Sequence, residues 1–141
     1  MQRERLLIID DEDHIREVAS LSLEMTEGWE VTTADCGAAG IELARSTRPD
    51  AILLDVMMPD MDGPSTLRAL RLDEATKGIA VIFLTAKVQA ADRRKFLDLG
   101  VQGIIAKPFD PMTLGRQIRE ALHWPSSGAL TASGGKDNSA A

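Results

Sequence analysis

Short, continuous apolar runs, each closed by a polar residue, organise this chain. Leu6-Leu7-Ile8-Ile9 ends in Asp10-Asp11, Ala51-Ile52-Leu53-Leu54 in Asp55, Val81-Ile82-Phe83-Leu84 in Thr85, and Ile104-Ile105-Ala106 in Lys107. Runs without alternation predict strands buried on both faces of a parallel sheet. Between them the apolar positions change to helical spacing. Ile15, Val18, Ala19, Leu21 and Leu23 predict a first helix that Gly28 stops. Trp29 to Ala34 reads as a more exposed strand, because Thr and Glu alternate with Val and Trp. Further helices are expected over Ala38 to Arg45 and from Pro64 to about Leu72. Another carries Ala90, Phe96, Leu97 and Leu99 to a stop at Gly100, and a last one runs from about Pro111 to His123. The order is β then α, repeated throughout. That predicts an α/β fold, a doubly wound parallel sheet with right-handed crossovers.

Composition changes this picture in a few places. A chain of 141 residues, 44% hydrophobic, suits one domain with a sizeable core. Its net charge of −6 sets the expectation that neither nucleic acid nor an anionic membrane is a partner. Cys36 is the single cysteine, so no internal disulfide forms and a reducing setting fits. The apolar run after Arg5 is too short for a signal peptide, and no stretch approaches a membrane span. A cytoplasmic location is therefore expected. From Pro125 the sequence turns small and polar, so residues 1–124 read as the domain and 125–141 as a flexible tail.

In an open α/β sheet the ligand crevice lies beyond the carboxyl ends of the strands. Asp10, Asp11, Asp55, Thr85 and Lys107 should therefore converge. Alone, each has a plain reading: the first pair caps a helix, Asp55 forms a turn, and Lys107 is a surface lysine. Together they suit different chemistry. Four acids in a row, Asp10 to Asp13, repel one another without a cation, and adjacent carboxylates favour Mg²⁺. A third carboxylate beside that cation, Asp55, can attack phosphorus and form an aspartyl phosphate. Lys107 would neutralise one phosphoryl oxygen and the Thr85 hydroxyl would donate to another.

The runs Ile8-Ile9-Asp10-Asp11-Glu12 and Asp55-Val56-Met57-Met58-Pro59-Asp60-Met61-Asp62-Gly63, the pair Thr85-Ala86, and Lys107-Pro108-Phe109 resemble the receiver domain of two-component response regulators. The resemblance spans about Arg5 to Trp124. It implies a flavodoxin-like (βα)5 sheet of strand order 2-1-3-4-5. It also implies that Asp55 accepts phosphate from a sensor histidine kinase or a phosphotransfer protein. Mg²⁺ would be held by Asp11, Asp55 and the Met57 carbonyl, with Asp10 acting through water, and the Lys107-Pro108 peptide would be cis. The expected function is a stand-alone, phosphorylation-controlled binding module, not an enzyme beyond its own phosphorylation and dephosphorylation. Its partners would be the kinase, a downstream protein target and a second copy of the chain. One position departs from the family pattern. An aromatic residue usually stands three before the lysine and reorients with the threonine, whereas this chain has Ile104.

Other residues invite plainer readings. His14 and His123 are single histidines without ligand partners at metal spacing, and Cys36 is a helix-start residue. Met57, Met58 and Met61 suit loop packing and partner surface. Lys87, Arg93, Arg94 and Lys95 form either a solvated face or a docking patch for an acidic partner. A rival function is a Mg²⁺-dependent phosphohydrolase of the haloacid-dehalogenase kind, since Asp11-Glu12-Asp13 fits an Asp-x-Asp after a strand. Ile15 departs from that family's pattern, and a chain this short lacks room for its cap region. A flavin-binding flavodoxin is disfavoured, because Asp10 to Asp13 would repel a phosphate in the first loop.

Overall fold

Strands form where the apolar runs predict them: β1 (Arg5–Ile9), β3 (Ala51–Asp55), β4 (Ala80–Thr85) and β5 (Gly103–Ala106), with the more polar β2 (Glu30–Ala34). The structure, a computed structural model, describes residues 3–125. The expected tail lies outside the described residues, apart from Pro125. All five strands are parallel, in the order β2-β1-β3-β4-β5. The flavodoxin-like order thus stands. β1, β3 and β4 occupy the middle and are buried on both faces, so alternate side chains feed two cores. Leu7, Ile9, Ile52, Leu54, Val81 and Phe83 face one core; Leu6, Ile8, Leu53, Ile82 and Leu84 face the other. The edge strands β2 and β5 are only partly buried, which explains the alternation that marked β2.

Helices α1 (Asp13–Glu27), α2 (Gly37–Thr47), α3 (Gly63–Leu72), α4 (Ala90–Asp98) and α5 (Leu114–Leu122) connect or follow these strands. α1 and α5 cover the second core, where Ala19, Leu23, Leu114 and Ile118 are buried. There Arg119 Nε donates to Glu27 Oε1 at 2.8 Å, and Trp29 meets Trp124 edge to face at 5.3 Å. On the other face α2, α3 and α4 contribute Ala44, Leu67, Leu70 and Phe96. Leu21 and Leu97, expected on apolar helix faces, are instead 57% and 47% exposed. The last helix begins at Leu114, not near Pro111. Asp110 Oδ1 accepts the Met112 N–H at 2.9 Å and its carbonyl takes those of Thr113 and Leu114, so a turn precedes the helix. Among the described residues no helix is long and apolar enough to cross a membrane.

Candidate functional site

The ends of β1, β3, β4 and β5 deliver the polar side chains Asp10 and Asp11, Asp55, Thr85 and Lys107 to the carboxyl edge of the sheet. Register sets their neighbourhood: Ile9, just before Asp10, pairs with Leu54, and Asp55 pairs with Leu84, just before Thr85. Thr85 in turn pairs with Ala106, just before Lys107. The loop after β3 folds back on Asp55. Gly63 N–H bonds to the Val56 carbonyl at 2.9 Å, and a Cβ at Gly63 would stand 2.7 Å from the Asp55 carbonyl. No larger residue fits there. Asp62 caps α3, its Oδ1 accepting the Ser65 N–H at 2.8 Å, and that bond holds its carboxyl below the usual range.

The acids then meet one cation. Carboxylate oxygens of Asp10, Asp11 and Asp55 lie within 4.8 Å of one another. Asp10 and Asp55 are 0% and 2% exposed, so their charges are barely screened by water, while Asp11 is exposed. Lys107 Nζ stands 3.0 Å from Asp10 Oδ2, 3.0 Å from Glu12 Oε1 and 3.3 Å from Asp55 Oδ1. Backbone donors take other oxygens: Glu12 N–H bonds Asp10 Oδ1 at 2.9 Å and Met57 N–H bonds Asp55 Oδ1 at 3.3 Å. Asp55 Oδ2 is buried and has no hydrogen-bond partner among the described residues. Burial, then the charge of Asp10, pushes the Asp55 carboxyl up to about 7; Lys107 opposes them without cancelling them. Burial also works against the Lys107 charge, but Asp10, Glu12 and Asp55 outweigh it and hold the ammonium above its ordinary range.

Thr85 is buried, and its Oγ1 accepts the Lys87 N–H at 2.9 Å. Ile104 is half-buried, pairs with Phe83 and packs against the core that contains Phe96 of α4. The Lys107-Pro108 peptide is cis. Two contacts went unread in the sequence. Glu12 shares Lys107, and Arg16 Nη1 donates to the Asp10 carbonyl at 2.7 Å while also pairing with Asp13. The signal for the first was present: an unbroken acid run facing a lone lysine. Cys36 caps α2 through Sγ, which accepts the Ala39 N–H at 3.4 Å.

Comparison with known proteins gives one consistent result. The family model for the response regulator receiver domain matches residues 6–119. The regulator TcrX of Mycobacterium tuberculosis, described as a probable transcriptional regulatory protein, is 39% identical over 117 residues, 83% of this chain and 49% of that protein. The DNA-binding dual master transcriptional regulator RpaA of Synechocystis is 40% identical over 118 residues, 84% of this chain and 48% of that protein. The chain thus spans about half the length of the curated relatives it matches. Among solved structures, chemotaxis response regulator CheY4 of Vibrio cholerae superposes with a TM-score of 0.79 at 30% identity, over 85% of this chain and 99% of that one. The receiver domain of sensor histidine kinase PA1611 from Pseudomonas aeruginosa gives 0.75 at 30% identity, over 86% of this chain and 98% of that one. It is described with a magnesium ion coordinated in its active site cleft.

These findings correct one expectation. Nucleic acid was excluded as a partner on the charge of the chain, yet the relatives are transcriptional regulators and one is named DNA-binding. Net charge is a property of the residues counted, and these correspond to about half of such a protein.

Proposed function

The chain belongs to the response regulator receiver domain family, and on that premise we propose that Asp55 accepts a phosphoryl group from a sensor histidine kinase or phosphotransfer protein. Receiver domains are signalling domains rather than classical enzymes; the only chemistry proposed for this one is its own phosphorylation and dephosphorylation. The observation that carries the reading is the Asp55 carboxylate: grouped with those of Asp10 and Asp11, its Oδ1 3.3 Å from the Lys107 ammonium, its Oδ2 buried and without a hydrogen-bond partner among the described residues. The same observation fits a divalent cation. An all-oxygen donor set with a surplus of negative charge is the chemistry Mg²⁺ takes. Asp11, Asp55 and the Met57 carbonyl would hold it, with Asp10 supporting through water. When bound, Mg²⁺ neutralises charge on the phosphoryl group.

The chain's own residues do the rest. An Asp55 carboxylate oxygen attacks phosphorus, the bond from phosphorus to the donor's imidazole nitrogen breaks, and its electron pair leaves with the imidazole. The Lys107 ammonium, already 3.3 Å from Asp55, pairs with a phosphoryl oxygen. The Thr85 hydroxyl donates to another and couples the new charge to β4 and β5. The switch reaches Ile104 from there and is read by a downstream protein, in the cytoplasm. The test uses acetyl phosphate as donor, with intact mass as readout. One phosphate should add with Mg²⁺, none in EDTA, and none to Asp55→Asn in either condition. Labelling of that variant would remove Asp55 as acceptor.

A further inference from the structure

Lys107 has more partners than phosphoryl transfer gives it. Its ammonium carries three N–H donors, and three carboxylates surround it: Asp10, Asp55 and Glu12. The first two belong to the site already described. Glu12 neither ends a strand nor joins the group of carboxylates that could hold a cation. Yet its Oε1 accepts a hydrogen bond from Lys107 Nζ at 3.0 Å. Glu12 stands at the N-cap of α1, from which a side-chain oxygen can take an N–H of the first turn, but its side chain makes no capping bond. Among the described residues its carboxylate is spent on Lys107.

We propose, resting on Asp55 as the phosphoacceptor, that Glu12 is a positioning residue: it holds the Lys107 ammonium in the resting site and must yield it to the incoming phosphoryl group. With three carboxylates on three donors, a phosphoryl oxygen gains Lys107 only by displacing one of them. Asp10 and Asp55 are buried, and a buried carboxylate stripped of its cation is costly. The Glu12 side chain is 58% exposed, so water replaces its lost contact at little cost. Glu12 is therefore the partner released. The exchange happens as the phosphoryl donor binds, before its bond to nitrogen or oxygen breaks. Glu12 thus raises the donor concentration needed and leaves the chemical step unchanged.

The test compares Glu12→Gln, which removes the charge, with Glu12→Asp, which keeps it but falls short of Nζ by about 1.5 Å, one carbon–carbon bond. Glu12 is exposed and makes no capping bond, so both variants keep the fold. Beryllofluoride is titrated at saturating Mg²⁺, with the ammonium NMR signal of Lys107 and the amide signal of Met57 as readouts. Both variants should bind about threefold tighter than the wild type, and with acetyl phosphate their KM should fall by that factor at an unchanged limiting rate. Glu17→Gln, at an exposed acid of α1 that makes no contact with Lys107 among the described residues, should match the wild type within about 1.5-fold. The Lys107 signals of wild type and Glu12→Asp should differ before beryllofluoride and coincide after it, because the bound form no longer uses Glu12. Wild-type affinity in Glu12→Asp would mean that net charge alone acts and would overturn the competition. Looser binding by Glu12→Gln, an equal gain from Glu17→Gln, or Lys107 signals that stay apart would overturn it too. A wild type that binds no beryllofluoride would instead remove Asp55 as phosphoacceptor and the competition with it, a result distinct from binding that ignores Glu12.

Discussion

At the scale of single residues, the telling position is Asp55. Folded, its carboxyl keeps a proton up to about pH 7 because burial and Asp10 disfavour the charge; unfolded, it releases that proton near the ordinary value of 3.8. Between these values the unfolded chain binds fewer protons than the folded one, so stability without metal falls as pH rises. Asp55→Asn removes the ionisation. In EDTA its melting temperature should exceed the wild type's by about 5 °C or more at pH 8, with the gap closing toward pH 4. A gap independent of pH would mean that Asp55 ionises freely. Met57, two residues on, is 60% exposed and its thioether holds water only weakly. Lys87, whose N–H bonds Thr85, can screen the phosphoryl oxygens from the same side. Met57→Asn should therefore shorten the phosphorylated lifetime roughly fivefold, the worth of one hydrogen bond. An unchanged lifetime by mass spectrometry would show that water is controlled elsewhere. Residue identities such as Asp55 and Lys107 were legible because each ends an apolar run. The Glu12 contact with Lys107 was not, since a side chain's reach across 95 positions depends on the folded register.

Among the elements, α4 is the least anchored. It buries only Phe96, which meets Phe83 edge to face at 5.3 Å, and its N-cap Gln89 makes no side-chain hydrogen bond. Its carboxyl end is held from α3, where Arg71 donates to the Leu99 and Gly100 carbonyls at 3.3 and 3.1 Å. Those bonds satisfy carbonyls that a helix end leaves open. Arg71→Ala should cost about 1 kcal/mol of stability and raise hydrogen exchange in α4 ahead of the other helices. Uniform exchange across all five helices would refute this. Helical spacing of the apolar positions predicted type and order correctly but not every boundary. The α5 start was misplaced because Asp110 and Pro111 carry both turn and helix-start character, and the Asp110 side chain decides for the turn.

For the whole molecule, the buried middle strands made the parallel α/β class readable, since continuous apolar runs admit few other arrangements, while the strand order followed from the family resemblance. What the domain binds was not readable from charge. Switching is a property at this scale too. Ile104 is β-branched, stiff at χ1 and without a hydrogen-bonding group, and it packs against the core that holds Phe96, the one buried residue of α4. Its rearrangement on activation should be small, so partner or self-association should change by less than about tenfold. Light scattering and partner binding with and without beryllofluoride measure this; a strictly monomeric resting form that switches fully would contradict it. One further consequence is optical. The two tryptophans stack edge to face at the end of the sheet opposite Asp55, and the chain has no tyrosine. Ultraviolet emission therefore comes from a single spot where α5 ends. Phosphorylation should leave it dark to change, while loosening of the last helix should shift its colour at once.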